Sequence, residues 1–450
     1  MRVLVNFSTV AMLMATLVVH ANPMGEGLTP YGAEQNGNAD NTIPAWEGGI
    51  TPDAMPKIEK GLENPFKDEK PLYVVTANNQ SQYDSVLSAG QKALLAAYPK
   101  TYQIPVYPSH RTASAPQWVY DNIARNHSTA KLVNEGNGIE DAFGGVPFPV
   151  PKNAEGQYDA HKILWNHLTR WRGIYVTAES SDAPVQTSGS YSLVTSQQEV
   201  GFLFYDPKRT FDTLDNKLSY FMASIKKPAR LAGGAVLIHE TLDRTKEERL
   251  AWAYNSGTRR VRRAPSVAYD MPVASTENLL TADDVDMFNG APDRYDWQYI
   301  GKQELLIPYN NFELSNATAD HKRVLQKGHI NPELTRYEMH RVWVIEGTLK
   351  SGVRHVYQKR RFYIDEDSWS IVQADQYDAR GELWRVHLSY LVNYYHVPVT
   401  WAALSANYDL VSKRYFAGFL DNSNGIAIKF SDTMPPETYF KPQSLRRRGR

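Results

Sequence analysis

The stretch Tyr337-Glu338-Met339-His340-Arg341-Val342-Trp343-Val344-Ile345-Glu346-Gly347-Thr348-Leu349 alternates about its axis: Trp343 and Ile345 fall on one side with Arg341, Val342 and Val344 on the other with His340. A period of two is that of a β-strand, and a strand apolar on both sides must be covered on both. The turn residues Lys350-Ser351-Gly352 follow, and the pattern resumes from His355 to Ile364, Ser368 to Tyr377, Leu383 to Tyr395 and Tyr408 to Phe419. Upstream it runs from Tyr191 to Thr195, Glu199 to Tyr205, Leu218 to Ile225, Ala235 to Thr241, Arg249 to Tyr254, Arg259 to Arg263 and Tyr295 to Ile307. The intervening Asn255-Ser256-Gly257, Asp365-Glu366-Asp367 and Asp378-Ala379-Arg380-Gly381 are hairpin residues, so the text predicts an antiparallel meander.

Before the meander, apolar residues return at helical steps in Gln80 to Tyr98, Pro116 to Arg125 and Tyr158 to Trp171. A short helix is expected at Ala282 to Phe288, capped by Thr281 and Asp284. The fold class expected is therefore α+β, mainly antiparallel β. Its organisation reads as an export signal at 1–21, a Pro/Gly-punctuated extended segment at 22–71, one domain at 72–435 and a basic tail at 436–450.

The export reading rests on Arg2, an apolar run from Val10 to Val19 and the small-residue site Val19-His20-Ala21, with cleavage expected after Ala21. The sequence holds no cysteine, so neither a disulfide nor a lipid-bearing cysteine is available. Loss of Arg2 leaves 48 basic against 49 acidic residues, and this near-zero balance argues against nucleic acid as a partner.

Motifs of chemistry are missing where they would be needed. His239-Glu240 lacks the second histidine of a zinc helix, and Gly25-Glu26-Gly27 and Gly136-Asn137-Gly138 lack the third glycine of a dinucleotide loop. No G-x-S-x-G elbow occurs, and Ser224 to Lys227 matches a four-residue motif only by chance. Asp283, Asp284 and Asp286 in the short helix, and Asp365, Glu366 and Asp367 in a hairpin turn, read as solvated, capping or dipole-matched carboxylates; the functional alternatives are a calcium site or a glycosidase acid pair. Arg259, Arg260, Arg262 and Arg263 surround Val261, either as a charged sheet edge or as a contact for an acidic partner or lipid head group.

Several blocks resemble a bacterial exported family, domain of unknown function 1329. They are Leu250 to Pro265, Asp283 to Gly290, Arg361 to Trp369, Ala374 to Asp378 and Gly381 to Trp384, with the openings Leu28 to Glu34 and Ile43 to Gly49. The resemblance implies a fold similar to the lipoprotein carriers LolA and LolB, an incomplete curved β-barrel plugged by helices. It further implies a periplasmic setting in a Gram-negative bacterium, peripheral to the outer membrane, and companionship with outer-membrane proteins and resistance-nodulation-division exporters. It carries no catalytic residues.

The expectation is thus a monomeric, non-enzymatic carrier or adaptor for a hydrophobic small molecule or lipid, without cofactor or metal. Phe202, Phe204, Phe221, Trp252, Tyr254 and Trp343 are the candidate hydrophobic lining, and Arg259, Arg260, Arg262 and Arg263 the candidate head-group or partner contact. Alternative readings are a secreted hydrolase with a carboxylate pair and an outer-membrane β-barrel.

Overall fold

The computed structural model describes residues 24–52, 62–264, 269–273, 275–316, 320–420 and 428–448; the expected export signal lies outside them. Two short strands, β1 (Tyr73–Val75) and β2 (Ile104–Val106), lead into the main sheet, and β3 (Lys131–Val133) with β4 (Gly138–Glu140) form a separate ribbon. The sheet continues through β5 (Tyr175–Val185), β6 (Val194–Gly201), β7 (Lys217–Lys227), β8 (Ala235–Thr241), β9 (Leu250–Asn255) and β10 (Arg260–Arg263). After these come β11 (Tyr295–Pro308), β12 (Tyr337–Leu349), β13 (Lys359–Asp365), β14 (Ile371–Tyr377), β15 (Leu383–Tyr394), β16 (Val399–Asp409), β17 (Tyr415–Leu420) and β18 (Ile428–Ser431).

Consecutive strands pair antiparallel from β12 to β17; β17 then joins β5, and the ladder runs on to β10. Among the described residues β10 and β11 do not meet, so the sheet stays open. Register shifts at Tyr299/Gly301, Tyr363/Ile364, Gln376/Tyr377 and Tyr390/Leu391 insert bulges that bend the strands. The result is the incomplete, curved antiparallel barrel that the alternating pattern and the family resemblance led one to expect.

Both faces are covered. Val342 and Val344 bury with Leu305, Ile307, Tyr309, Tyr363, Val372 and Leu391, whereas Trp343, Ile345 and Phe362 enter the main core. Helix α1 (Ala89–Ala97) lies against β14 and β15, where a Cβ on Gly90 would stand 2.2 Å from the Asp375 carboxylate. Only glycine allows that approach. Helix α3 (Ala160–Thr169) lies against β11 and β12, started by Asp159, whose carboxylate accepts the His161 and Lys162 N–H groups. Helix α2 (Gln117–Thr129) buries Val119, Ile123 and Asn126.

Four expectations need correction. The helix from Gln80 to Tyr98 is two pieces, a 3-10 turn at Gln80–Val86 and α1, because Ser88 and Gln91 form a capping box that restarts the helix. The strand from Glu199 to Tyr205 stops at Gly201, and Leu203–Tyr205 turn as a 3-10 helix with Phe202 to Tyr205 all buried. The run from His355 to Ile364 pairs only from Lys359, and the Tyr408 to Phe419 run is divided between β16 and β17. Beyond these four, the basic tail is packed against the sheet: Phe440 and Leu445 are buried, Phe440 O accepts from His239 Nε2 at 2.8 Å, and Arg448 pairs with Glu199.

Candidate functional site

A cleft of about 1170 Å³ opens between α2 and the strand ends. Its aromatic wall is Trp118, Phe143, Trp171, Phe211 and Phe430, with His396 at the rim. Trp118 stands off the buried stripe of α2 and stays 37% exposed, because Val119 and Ile123 take the inward positions. It meets Trp171 edge-on at 5.2 Å, and Trp171 Nε1 donates to Pro398 O at 3.1 Å, which fixes the ring. The rim mixes Arg125, Lys131 and Arg209 with Asp141, Asp212 and Asp432; Lys131 pairs with Asp141 at 2.9 Å. The site is amphipathic and carries no single sign of charge.

The aromatic residues expected to line one cavity are set in three places, none of them among the residues lining this cleft. Phe202 and Phe204 lie just behind the wall, Phe204 against Phe143 at 5.8 Å and Phe202 beneath the Arg172 guanidinium at 4.5 Å. Trp252 and Tyr254 on β9 belong to another patch, where Trp252 meets His239 at 4.9 Å and His239 meets Tyr220 at 4.4 Å; half-buried Phe221 neighbours it on β7, in register with Ile238. Trp343 stacks on Trp369 at 5.7 Å and 9°, with Lys302 over its face. Arg260, Arg262 and Arg263 on the outermost strand β10, and Arg259 in the turn before it, are exposed and make no ion pair among the described residues.

The acidic groups read as solvated are mostly buried. Asp283, Asp284, Asp365, Glu366 and Asp367 are each at most 3% exposed. Arg360 bonds both oxygens of Asp283 at 2.9 Å and Asp284 Oδ1 at 2.9 Å, while His355, Tyr357 and Gln376 complete the cluster. Burial alone would raise Asp283, but Arg360 and His355 overcome it and hold it well below the carboxylate range. The Asp365 turn is folded under the leading segment: Arg111 donates to Asp367 at 2.9 and 2.6 Å and to the carbonyls of Glu34, Gln35 and Pro44. Neither cluster faces the cleft, and a paired-carboxylate hydrolase has no support from this geometry.

His167 on α3 is wholly buried. Its Nδ1 accepts the Ile371 N–H at 3.1 Å, which leaves the proton on Nε2, facing the carbonyls of Asp286 and Phe288. Burial and then Arg170 push it down to about 3. An unfolded histidine near pH 6.5 therefore binds a proton that the native one refuses, so this contribution to stability is lost as pH falls below that value. In His167→Gln the slope of unfolding free energy between about pH 4 and pH 6 is expected to be shallower by about 1.4 kcal/mol per pH unit. Denaturant titrations at stepped pH measure this, and parallel slopes for variant and parent would refute it.

Among the described residues no helix is long and apolar enough to cross a membrane. An uncharacterised protein of Pseudomonas aeruginosa is 45% identical over 448 residues, spanning 97% of this chain and 96% of its own. Among solved structures, a putative outer membrane lipoprotein-sorting protein domain from Vibrio parahaemolyticus is 14% identical, with a TM-score of 0.44 over 63% of this chain and 97% of that one. A DUF1329 family protein from Desulfovibrio piger is 13% identical, with a TM-score of 0.41 over 61% and 92%. A LolA superfamily protein from Nitrosomonas europaea is 13% identical, with a TM-score of 0.38 over 63% and 98%. The profile of the family described as protein of unknown function, DUF1329, matches residues 74–446, and with the Pseudomonas relative this establishes the family that the sequence blocks resembled: the chain belongs to DUF1329.

Proposed function

We propose that this protein is a periplasmic carrier or adaptor for a hydrophobic, lipid-like molecule, without chemistry of its own, working as a monomer beside an outer-membrane protein or a resistance-nodulation-division exporter. The observation that carries the reading is the aromatic cleft, whose 1170 Å³ exceeds the roughly 300–1,000 Å³ usual for a small-molecule site. Trp118 and Phe211 offer apolar surface that no part of the described chain covers completely, backed by the buried Trp171. Each methylene buried there contributes about 0.8 kcal/mol, so ten supply about 8 kcal/mol before the cost of ordering the guest. Phe202 and Phe204 back this wall, and the free arginines from Arg259 to Arg263 are the surface proposed to meet an anionic head group or partner; the same charges protect an exposed sheet edge.

The test is displacement of a fluorescent long-chain acyl probe from the protein lacking residues 1–21. Saturable binding is expected, and Trp118→Ala is expected to weaken it about tenfold or more, since a large aromatic anchor is worth about 1.4 kcal/mol or above. Binding that is absent, or unchanged in Trp118→Ala and Phe211→Ala together, would remove the proposal.

A further inference from the structure

Away from the cleft, three buried side chains bring their donor atoms together. His340 comes from β12, and Asp365 and Asp367 from the end of β13 and the turn after it; one donor atom from each lies within 4.8 Å of the other two. His340 Nδ1 stands 3.8 Å from Asp365 Oδ1 and 4.0 Å from Asp367 Oδ2, too far for hydrogen bonds. All three side chains are at most 2% exposed.

The surroundings orient these atoms as a ligand set is oriented. Glu338 Oε2 lies 3.3 Å from His340 Nε2 and takes that proton, which turns the Nδ1 lone pair toward the two aspartates. Ser368 gives its N–H and O–H to Asp365 Oδ2 at 3.0 and 2.6 Å, leaving Oδ1 free. Arg111 holds Asp367 in place, its Nε donating to Oδ2 at 2.9 Å and its Nη2 to Oδ1 at 2.6 Å. Two buried polar atoms here have no hydrogen-bond partner: Asp365 Oδ1, one of these donor atoms, and Tyr309 Oη, whose ring lies 4.1 Å from that of His340. The cations nearby are each committed to a carboxylate other than Asp365. Arg336 holds Glu338 at 2.5 Å, Lys302 and Arg341 hold Glu366 at 2.6 and 3.3 Å, and Arg111 holds Asp367. Asp365 alone has no arginine or lysine partner within ion-pair distance.

We infer that His340, Asp365 and Asp367 form a closed site for a divalent cation of the zinc class. One imidazole nitrogen with two carboxylate oxygens suits such an ion better than calcium, which takes six to eight oxygens. Tetrahedral bonds of about 2.0–2.2 Å place donors roughly 3.3–3.6 Å apart, so on binding the 3.8 and 4.0 Å separations close by a few tenths of an ångström. Being buried, the ion is structural: it ties β12 to the β13 turn and, through Arg111, to the leading segment.

The test uses the full chain after removal of residues 1–21, unfolded in chelator and refolded with Zn²⁺, with Ca²⁺ or with neither. Refolding with zinc is expected to leave one Zn²⁺ per chain after desalting, by elemental analysis, and to raise Tm by about 2 °C or more over the chelated protein. Calcium is expected to do neither. His340→Gln and Asp365→Asn are expected to lose the zinc, whereas Asp378→Asn, at an exposed turn, keeps it; circular dichroism decides which variants are folded and so count. Zinc absent from the unmodified chain with no change in Tm, calcium retained in its place, or zinc retained by a folded His340→Gln would each overturn the inference; the first would mean that the three groups share a proton.

Discussion

Replacing Arg360 by methionine is expected to cost about 3–5 kcal/mol of stability, because it strands two carboxylates in the core. The guanidinium is wholly buried and holds Asp283 and Asp284 through three hydrogen bonds of 2.9 Å. Water cannot replace it there, and the remaining donors, from His355, Tyr357 and Gln376, are already engaged. The loss belongs to the unpaired charge more than to the missing contacts. Adding Asp283→Asn and Asp284→Asn to Arg360→Met should therefore recover a large part of it, a coupling of more than 1 kcal/mol in a mutant cycle. Urea unfolding measures all of these; an Arg360→Met variant within 1 kcal/mol of the parent would show that the cluster is not a charged one.

Trp369→Ala is the second large effect, expected to cost about 3–5 kcal/mol as the void of a deleted buried indole. Trp369 is fully buried, stacks on Trp343 and donates its Nε1–H to Tyr31 O at 3.0 Å, so it pins the leading segment to the sheet. Limited proteolysis should then cut within residues 24–52 before the rest of the variant is attacked. The backbone sharpens the prediction. Trp369 has φ of 56°, a left-handed conformation costly for a bulky residue and free for glycine, so Trp369→Gly should be no less stable than Trp369→Ala despite losing one more carbon. A Gly variant clearly weaker than the Ala variant would contradict that account.

The strands that are apolar runs bounded by turn residues were legible. Ala235–Thr241 and Tyr337–Leu349 begin and end where the pattern does. Strand β5 was missed because Thr177, Glu179, Ser180, Ser181 and Asp182 carry no apolar signal; its place is fixed by neighbours on both sides and by bonds such as Ser181 to Thr195 at 2.9 Å. Strand β16 was hidden by Ala402, Ala403 and Ala406, which have little strand preference. The acidic turns misled for a different reason. A turn is normally wet, and nothing near Asp365 in the chain announces that Arg111 and the segment around Glu34 will fold over it. The cleft was invisible to a search along strands, since its walls come from α2 and from loops around Phe143, Trp171, Phe211 and Val397. One signal was available: in α2, Val119, Ile123 and Asn126 define the buried stripe, which leaves Trp118 outside it with no local reason to be tryptophan.

The held-down tail has a consequence in time. The patch of Tyr220, His239 and Trp252 is covered by Phe440, and Glu199 is paired by Arg448, 249 residues later. At the other end Tyr31 waits for Trp369, 338 residues downstream. A chain made amino end first would thus have β1 to β13 in place before Trp369 can reach Tyr31, and all the described strands before the tail fastening closes, and such long loops make the last steps slow. During that interval the aromatic leaf of β7, β8 and β9 is bare, and a chaperone able to shield it would act late, until the carboxyl-terminal segment is available to cover it.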